Sequence, residues 1–206
     1  MTNTCSCHHT QADARPTDVL KQEHRVIERV LDATEQMLEQ PTIDKAFMLS
    51  VIDFVRNFAD GCHHHKEEDA LFPMLEQAGV PREGGPIGCM LSEHEMGRLL
   101  IRTISESLDP AVAGRAEAIQ AVQQAARQYI SLLRMHINKE DTVLFAVADH
   151  VLDKQHQTEL MASLDRTELI ENEAGKHERY VALADRLYKQ AFSSGRAPST
   201  VVSHAS

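Results

Sequence analysis

The chain contains few of the residues that build β-sheets or disulfide frameworks. Its 206 residues include no Trp, 4% aromatic residues and 4 Cys, whereas the helix formers Leu, Ala, Glu and Gln are frequent. Cys5 and Cys7 stand near the N-terminus, and Cys62 and Cys89 stand within helical patterns, which is unlike a small secreted disulfide framework. We therefore expect four thiols and an all-α fold around one core.

Long apolar runs and a surplus of basic residues are also absent. No stretch approaches the roughly 20 apolar residues of a membrane span, and the opening segment MTNTCSCHHTQADARP lacks the apolar part of a secretory signal. The net charge of -10 repels phosphate backbones and anionic headgroups. We therefore expect a cytoplasmic protein that binds neither nucleic acid nor membranes.

Apolar residues recur at helical spacing over most of the chain and predict its organisation. Residues 1–15 are small and polar and are expected to form a disordered leader. Long helices with short connections over 17–150 predict an up-down-up-down four-helix bundle. Additional C-terminal helices over 151–192 are expected to pack outside it, before a flexible tail over 193–206.

Caps and breakers predict the bounds of the four bundle helices. Helix 1 is expected to run from a cap at Thr17 until Pro41, and helix 2 from near Thr42 to Pro73, the alternative being one further turn to Gln77. Helix 3 is expected to follow the loop AGVPREGGPIG and to run up to Asp109 and Pro110, and helix 4 from about Val112 to Ala148.

Histidine is the residue type in excess, with 12 in the chain. The segments CHHHKEEDALF in helix 2 and MHINKEDTVLF in helix 4 align without a gap, and QEH in helix 1 matches SEH in helix 3 more weakly. The pattern therefore indicates an α-α hairpin that is used twice.

The aligned segments each place a His four residues before a Glu, so both side chains lie on one helix face about one turn apart. If successive helices alternate in direction, a rise of about 1.5 Å per residue puts these pairs and one His from each of helices 1 and 3 at a common depth, about 9–18 Å from one end. The predicted layer consists of His24, His63, Glu67, His94, His136 and Glu140.

Four inward His and two inward Glu on four facing helices predict a pocket for two metal ions, with carboxylates able to bridge them. Imidazole nitrogen mixed with carboxylate oxygen suits iron or another first-row transition metal. An all-oxygen magnesium or calcium cage or a thiolate zinc site would use other residues.

The segments QEHR, HHHKEEDALFP, GGPIGCMLSEHEMGR and HINKEDTVLF resemble those of the hemerythrin-like (HHE cation-binding) proteins, over roughly residues 17–150. The resemblance implies a four-helix bundle that holds two iron ions in a non-haem di-iron centre. Two carboxylates and an oxo or hydroxo group would bridge the irons, and one position would stay open for dioxygen or a related small molecule. All six residues of the predicted layer match ligand positions of that family.

One position departs from the respiratory oxygen carriers of the family, which have a second His four residues after the one on helix 3. Arg98 stands there in this chain. In some hemerythrin-like members the residue after the helix 2 His completes the ligand set, and that residue here is His64. His64 is therefore a candidate seventh ligand, the alternative being a residue at the rim, and simple reversible oxygen carriage is not expected.

The expected function is that of a non-haem di-iron protein that binds or reacts with dioxygen, peroxide or nitric oxide, in stress response or in oxygen or iron sensing. A mixed Fe/Mn pair is an alternative to two irons. The alternative function is an iron-storage or iron-sensing module without turnover, with a protein partner at the C-terminal helices. A single zinc would leave half the layer empty, paired Glu do not suit haem, and ferritin-like oxidases carry Glu-x-x-His instead.

Residues beside the candidate ligands yield further expectations. Glu28 and Arg98 follow the His of helices 1 and 3 by four residues, so they face inward and are predicted to form an ion pair. Glu68 and Asp141 each follow a candidate ligand Glu and are expected to be exposed. Tyr129 is expected to pack in the core, the alternative being a donor to the centre.

Overall fold

The computed structural model describes residues 14–171 and 175–193, and within these ranges the chain is all-α, with six helices and no strand. Four of the six are uniform α-helices: α1 (Pro16–Leu38), α3 (Pro86–Val112), α5 (Lys154–Glu171) and α6 (Lys176–Ser193). The other two each join several segments: α2 (Lys45–Phe54, Val55–His64, Glu67–Leu71, Phe72–Gln77) and α4 (Ala116–Lys139, Glu140–Leu144, Phe145–Val151).

Helices α1 to α4 form the predicted bundle, which confirms the fold class. Of the predicted leader, residues 1–13 lie outside the described residues, and of the predicted tail, residues 194–206 do. Cys5 and Cys7 fall in the former range, whereas Cys62 and Cys89 are not joined in a disulfide. None of the described helices is both long enough and apolar enough to cross a membrane.

Two helices start at other caps than predicted. α1 begins one residue before Thr17, with Pro16 in its first turn and Arg15 as the cap residue, a position where the missing N–H of Pro costs nothing. α2 begins at Lys45, because the Asp44 carboxylate accepts the backbone N–H three residues further on at 3.0 Å. Cap side chains decide such starts more locally than apolar periodicity can indicate.

The turn between α3 and α4 also differs from its prediction. α3 continues through Pro110 to Val112, since a Pro in the last turn removes one hydrogen bond without ending the helix. The chain then turns at Gly114, whose φ of 86° favours glycine, and α4 starts at Ala116. α4 continues to Val151, one turn beyond the predicted end.

The histidine-bearing parts of α2 and α4 contain π-helical turns, which the sequence analysis did not predict. The backbone N–H groups of His65, Phe72 and Phe145 each donate to the carbonyl five residues earlier. This wider turn rotates successive residues by less than the roughly 100° of an α-helix. Both His63 and His64 consequently face the interior of the bundle.

Two hydrophobic clusters enclose the histidine layer from above and below. One cluster contains Ile27, Phe54, Ile104 and Ile130, and the other contains Leu20, Leu71, Ile87 and Phe145. The C-terminal helices lie against α1 and α2 and complete both clusters: α6 adds Tyr180, Ala184, Leu187 and Ala191 to the first, and α5 adds Leu160 and Leu164 to the second. They therefore lie outside the four helices but share their cores.

Candidate metal centre

The structure brings all seven residues predicted as ligands into one buried layer between the two hydrophobic clusters. None of the seven is more than 4% exposed: His24, His63, His64, Glu67, His94, His136 and Glu140. His64 is thus buried, although it also lines a cavity at the side of the layer.

Within this layer the side chains form two groups that share one carboxylate. The first group consists of His24, His63, Glu67 and Glu140, and the second of His64, Glu67, His94 and His136. In each group, one nitrogen or oxygen atom from every residue lies within 4.8 Å of the others. Glu67 belongs to both groups, so the two candidate sites adjoin each other.

Both carboxylates lie between imidazoles of the two hairpins. The Glu67 oxygens lie 3.7 Å from Nε2 of His63 and 3.5 Å from Nε2 of His94. Oε2 of Glu140 lies 3.2 Å from Nε2 of both His24 and His136. Each Glu therefore faces a His on its own helix and a His on the other hairpin.

An outer ring of five carboxylates orients the five imidazoles. Every Nδ1 lies within hydrogen-bond distance of a carboxylate oxygen: Asp141 for His24 (2.7 Å), Glu23 for His63 (2.9 Å), Asp60 for His64 (3.3 Å), Glu68 for His94 (2.6 Å) and Glu93 for His136 (3.0 Å). A carboxylate at Nδ1 holds the proton there and leaves the Nε2 lone pair directed inward. All five rings are thus prepared to bind metal through Nε2.

This ring corrects two expectations. Glu68 and Asp141 are part-buried rather than exposed, because each reaches across to the His of the other hairpin. The predicted ion pair between Glu28 and Arg98 is wrong: Glu28 pairs with an arginine on its own helix. Arg98 instead binds Asp60, Glu68 and Glu95, since the first two face α3 and lie closer to its guanidinium.

The outer ring repeats in both hairpins. Glu23 accepts a hydrogen bond from buried Lys66 in the first hairpin, and Glu93 accepts one from Lys139 in the second. These four residues were not among the predicted site residues. The signal was present, since Glu-His and Lys-Glu are letters shared by the aligned segments.

The two hairpins differ at His64, Asp60 and Arg98. In the alignment of the hairpins these three correspond to Ile137, Leu133 and Glu28. Arg98 Nε donates to Asp60 Oδ1 at 2.8 Å, and Asp60 in turn contacts His64. Arg98 and Asp60 therefore position His64, which is a third imidazole in the second group, whereas the first group has two.

Burial and neighbouring charges shift the pKa values of the residues in the layer in different directions. Burial lowers the pKa of His63 to about 4, and burial together with repulsion from Glu140 raises the pKa of Glu67. Burial would also lower the pKa of His136, but the Glu140 and Glu93 carboxylates outweigh it and raise that pKa to about 9. Protons therefore occupy part of the layer near neutral pH.

The residues present fit a pair of metal ions. Among the described residues, these buried atoms lack a hydrogen-bond partner: Nε2 of His24, His63 and His64, and both carboxylate oxygens of Glu67 and Glu140. Nε2 of His94 faces Nε2 of His136 at 3.2 Å, although a carboxylate holds Nδ1 of each ring. Unpaired buried polar atoms are costly, and cations between these donors would satisfy all of them.

A helical bundle with such a layer defines a class of metal-binding proteins. Residues 15–148 match the family model described as the hemerythrin HHE cation binding domain, and the chain belongs to this family.

Curated relatives extend over part of the chain. An uncharacterized protein of Mycobacterium tuberculosis is 26% identical over 141 residues, which cover 66% of this chain and 54% of the relative. Iron-sulfur cluster repair proteins YtfE are 34% identical over 85 residues in Enterobacter sp. (40% of this chain, 39% of the relative) and over 97 residues in Edwardsiella ictaluri (46% and 43%). The chain spans about half the length, or less, of these relatives. No solved structure is significantly similar to it.

Proposed function

We propose that this chain is a non-haem di-iron protein that binds or reacts with dioxygen, peroxide or nitric oxide. The observation that carries the proposal is the pair of adjoining ligand groups with Glu67 in common, in which five Nε2 atoms converge. His24, His63 and Glu140 would hold one ion, and His64, His94 and His136 the other, with Glu67 between them. When bound, the metal pair supplies redox chemistry and Lewis acidity.

Iron is the metal that we propose, for two reasons. A mixed imidazole and carboxylate donor set suits iron among first-row metals, and the relatives named iron-sulfur cluster repair proteins support an iron-linked role. A mixed Fe/Mn pair would use the same donors.

The surrounding side chains orient the ligands and exclude water. Phe145 stacks on the His24 ring at 5.4 Å between centroids, and Phe72 stacks on His94 at 6.0 Å. The two hydrophobic clusters cover the remaining faces. Access is favoured beside His64 and His94, where both rings line a cavity of about 330 Å³.

His64 bears on whether dioxygen is carried or consumed. Arg98 cannot act as a ligand because its guanidinium stays protonated. If only water replaced the missing imidazole, both ions would be open, which favours peroxide or nitric oxide turnover. The contact of His64 with Asp60 supports the other arrangement, in which His64, His94 and His136 would all hold the second ion.

Metal analysis and an absorption spectrum of aerobically purified protein test the proposal. We expect about two irons per chain and near-ultraviolet oxo-to-iron charge-transfer absorption, as the family resemblance implies. Equal amounts of iron and manganese would replace the di-iron centre by a mixed one. A colourless protein with one zinc would contradict the proposal.

Kinetics then separate carriage from turnover. Consumption of hydrogen peroxide or nitric oxide above that of free iron, together with rapid autoxidation, would indicate a reactive centre. A stable dioxygen complex that reverses under argon would indicate a carrier.

One observation favours a storage or sensing module as the second candidate. His177 of α6 lies 3.9 Å from the Glu23 carboxylate that contacts His63, so the C-terminal helices adjoin the ligand layer. A partner bound to these helices could respond to metal occupancy. Iron loading that changes protease sensitivity of α6, without consumption of either oxidant, would favour this candidate over the first.

A further inference from the structure

A cavity beside the histidine layer has a cationic lining that the proposed metal chemistry does not use. Its volume is about 330 Å³, and it reaches His64 and His94. The lining contains three arginines, Arg56, Arg98 and Arg102, against one acidic residue, Asp60. In a protein with a net charge of -10, this concentration of guanidinium groups requires a separate explanation. We call this space the arginine cavity.

Two of the three guanidiniums are available to a ligand. Arg98 is held by Asp60 and Glu68 at 2.8 Å each and by Glu95 at 2.6 Å. Arg56 and Arg102 are exposed and form no salt bridge with any residue in the described part of the chain. Arg98 therefore supports the wall of the cavity, whereas the other two arginines offer unused donors and positive charge.

The hydroxyl of Tyr129 provides a donor deeper in the same cavity. Tyr129 is 4% exposed and lines the cavity, and within the described ranges its hydroxyl has no hydrogen-bond partner. Burial and the negative charge of Asp60 raise the pKa of the Tyr129 hydroxyl, so this hydroxyl stays protonated and can donate a hydrogen bond. A buried hydroxyl without an acceptor costs free energy. A ligand oxygen in the cavity would supply the missing acceptor.

These features select one class of ligand. Dioxygen and nitric oxide are neutral, so attraction to two exposed guanidiniums would not concentrate them. A planar anion with two oxygens can accept paired N–H groups from an arginine and a further hydrogen bond from a hydroxyl. Val55, Gly97 and Ile101 supply apolar walls for a small body behind the charged group.

We propose that the arginine cavity binds a small monoanion with two planar oxygens, held by Arg56, Arg102 and the Tyr129 hydroxyl. Carboxylates and nitrite share this chemistry. The proposal goes beyond the proposed function and does not depend on iron, because none of these three donors is a candidate metal ligand.

Titration calorimetry at low ionic strength tests the proposal with sodium formate, sodium acetate and sodium nitrite as probes. We expect saturable binding of one anion per chain, both in the metal-loaded protein and after treatment with a chelator. Tighter binding of formate and acetate would assign a carboxylate, and tighter binding of nitrite would assign an inorganic anion. Either result supports the site.

Variants identify the donors. Tyr129→Phe removes only a hydroxyl and is expected to weaken binding about tenfold, the effect of losing a hydrogen bond to a charged group. The double variant Arg56→Gln and Arg102→Gln should weaken binding further and reduce its salt dependence. Tyr180→Phe and Arg127→Gln are the matched controls, since Tyr180 binds Asp53 and Arg127 binds Glu39 outside the cavity.

Three results would overturn the proposal. One is the absence of saturable binding. Another is binding that requires metal and is unchanged in Tyr129→Phe, which would assign the anion to the metal ions. The third is an equal loss in Arg127→Gln and the double variant, which would indicate general charge attraction. If the chelated protein unfolds, anion affinity is compared between wild type and Tyr129→Phe in the metal-loaded state. Equal affinities would then contradict the proposal.

Discussion

At the scale of single residues, the candidate centre depends on carboxylates in two different roles. Glu67 and Glu140 lie inside the layer and face imidazoles of both hairpins. The five outer carboxylates contact Nδ1 atoms and set the direction of each ring. Substitutions in the two groups should therefore have different consequences for metal content and stability.

Removal of a bridging carboxylate should empty the centre. We expect Glu67→Ala to lose most of both metals because its oxygens face both groups, whereas His24→Ala should lose mainly one. Metal content per chain, measured by mass spectrometry after gel filtration, checks this result. Glu76→Ala is the control, since Glu76 pairs with exposed Arg82 elsewhere. Equal metal content in wild type and Glu67→Ala would show that the layer is not a metal site.

Glu23 and Glu93 occupy equivalent positions in the two hairpins and differ in burial. Their variants can therefore separate the orientation of a ligand ring from the stability of the fold. Glu23→Gln and Glu93→Gln should each lower metal affinity by about 10–100-fold, because each leaves one ligand ring unsupported. Glu23→Gln also replaces the carboxylate that accepts a hydrogen bond from fully buried Lys66 by a neutral amide, which should lower the unfolding free energy because a buried charge loses attraction. Glu93 is partly exposed, so its variant should lose much less stability. Metal competition assays and urea unfolding measure the two effects, and equal destabilisation would contradict this distinction.

His64 can be tested against its neighbour in the sequence. His64→Ala should lose about one metal per chain or change reactivity with peroxide, because the second group then keeps two imidazoles. His65→Ala is the matched control, since His65 is partly exposed and belongs to neither group. Unchanged metal content and reactivity in His64→Ala would show that His64 only packs beside the centre.

At the scale of helices, the π-helical turns decide which neighbouring residues face inward. α2 carries such turns over Val55–His64 and Glu67–Leu71, and α4 carries one over Glu140–Leu144. Their position at the ligand-bearing segments agrees with the general occurrence of π-turns at functional sites. Two adjacent imidazoles can therefore come from one stretch of helix.

Gly61 offers a test of this helical geometry. A Cβ at Gly61 would lie 2.7 Å from the Arg56 carbonyl oxygen, so Gly61→Ala must shift the turn that leads to His63 and His64. We expect a loss of about 1–3 kcal/mol in stability, as for other overpacked sites, and weaker metal binding. Gly97→Ala, whose added Cβ meets nothing closer than 3.5 Å, should change stability less. Similar thermal unfolding of both variants would show that the close approach at Gly61 does not constrain the turn.

At the scale of the whole molecule, a polar layer divides the interior into two apolar clusters. α5 and α6 complete those clusters, and an Arg29–Asp185 ion pair joins α1 to α6. Because the layer holds unpaired buried atoms, the stability of the whole bundle should depend on metal.

Removal of metal with a chelator should lower the melting temperature, and the difference should grow as the pH rises from 6 towards 9. Metal competes with the proton on His136, whose pKa is raised to about 9, so binding strengthens as that proton leaves. In the metal-free protein, the stability contributed by protonated His136 is present below its ordinary pKa and is lost as the pH rises through about 9. Calorimetric scans of both states check this trend. A difference that shrinks with pH would contradict it.

The contacts of the outer ring could not be predicted from the sequence, unlike the spacing of the ligands along each helix. The spacing of His63 and Glu67 lies along one helix, so it could be predicted without knowing any neighbour. The partners of Glu23 and Asp141 lie on other helices, and their distance depends on packing angle and register. Arg98 illustrates the same point, because inward spacing alone paired it with Glu28, whereas the fold pairs it with acids on α2.

By itself, the sequence determined the helical class, the repeated hairpin and the depth of the ligand layer, because each follows from spacing along single helices and from the alternation of their direction. Only the tertiary structure decided which carboxylate orients which imidazole, that His64 is buried within the layer, and that a cavity lined by arginines adjoins it. These features depend on π-helical turns and on side chains that reach between helices, and such contacts leave no periodic pattern in the chain.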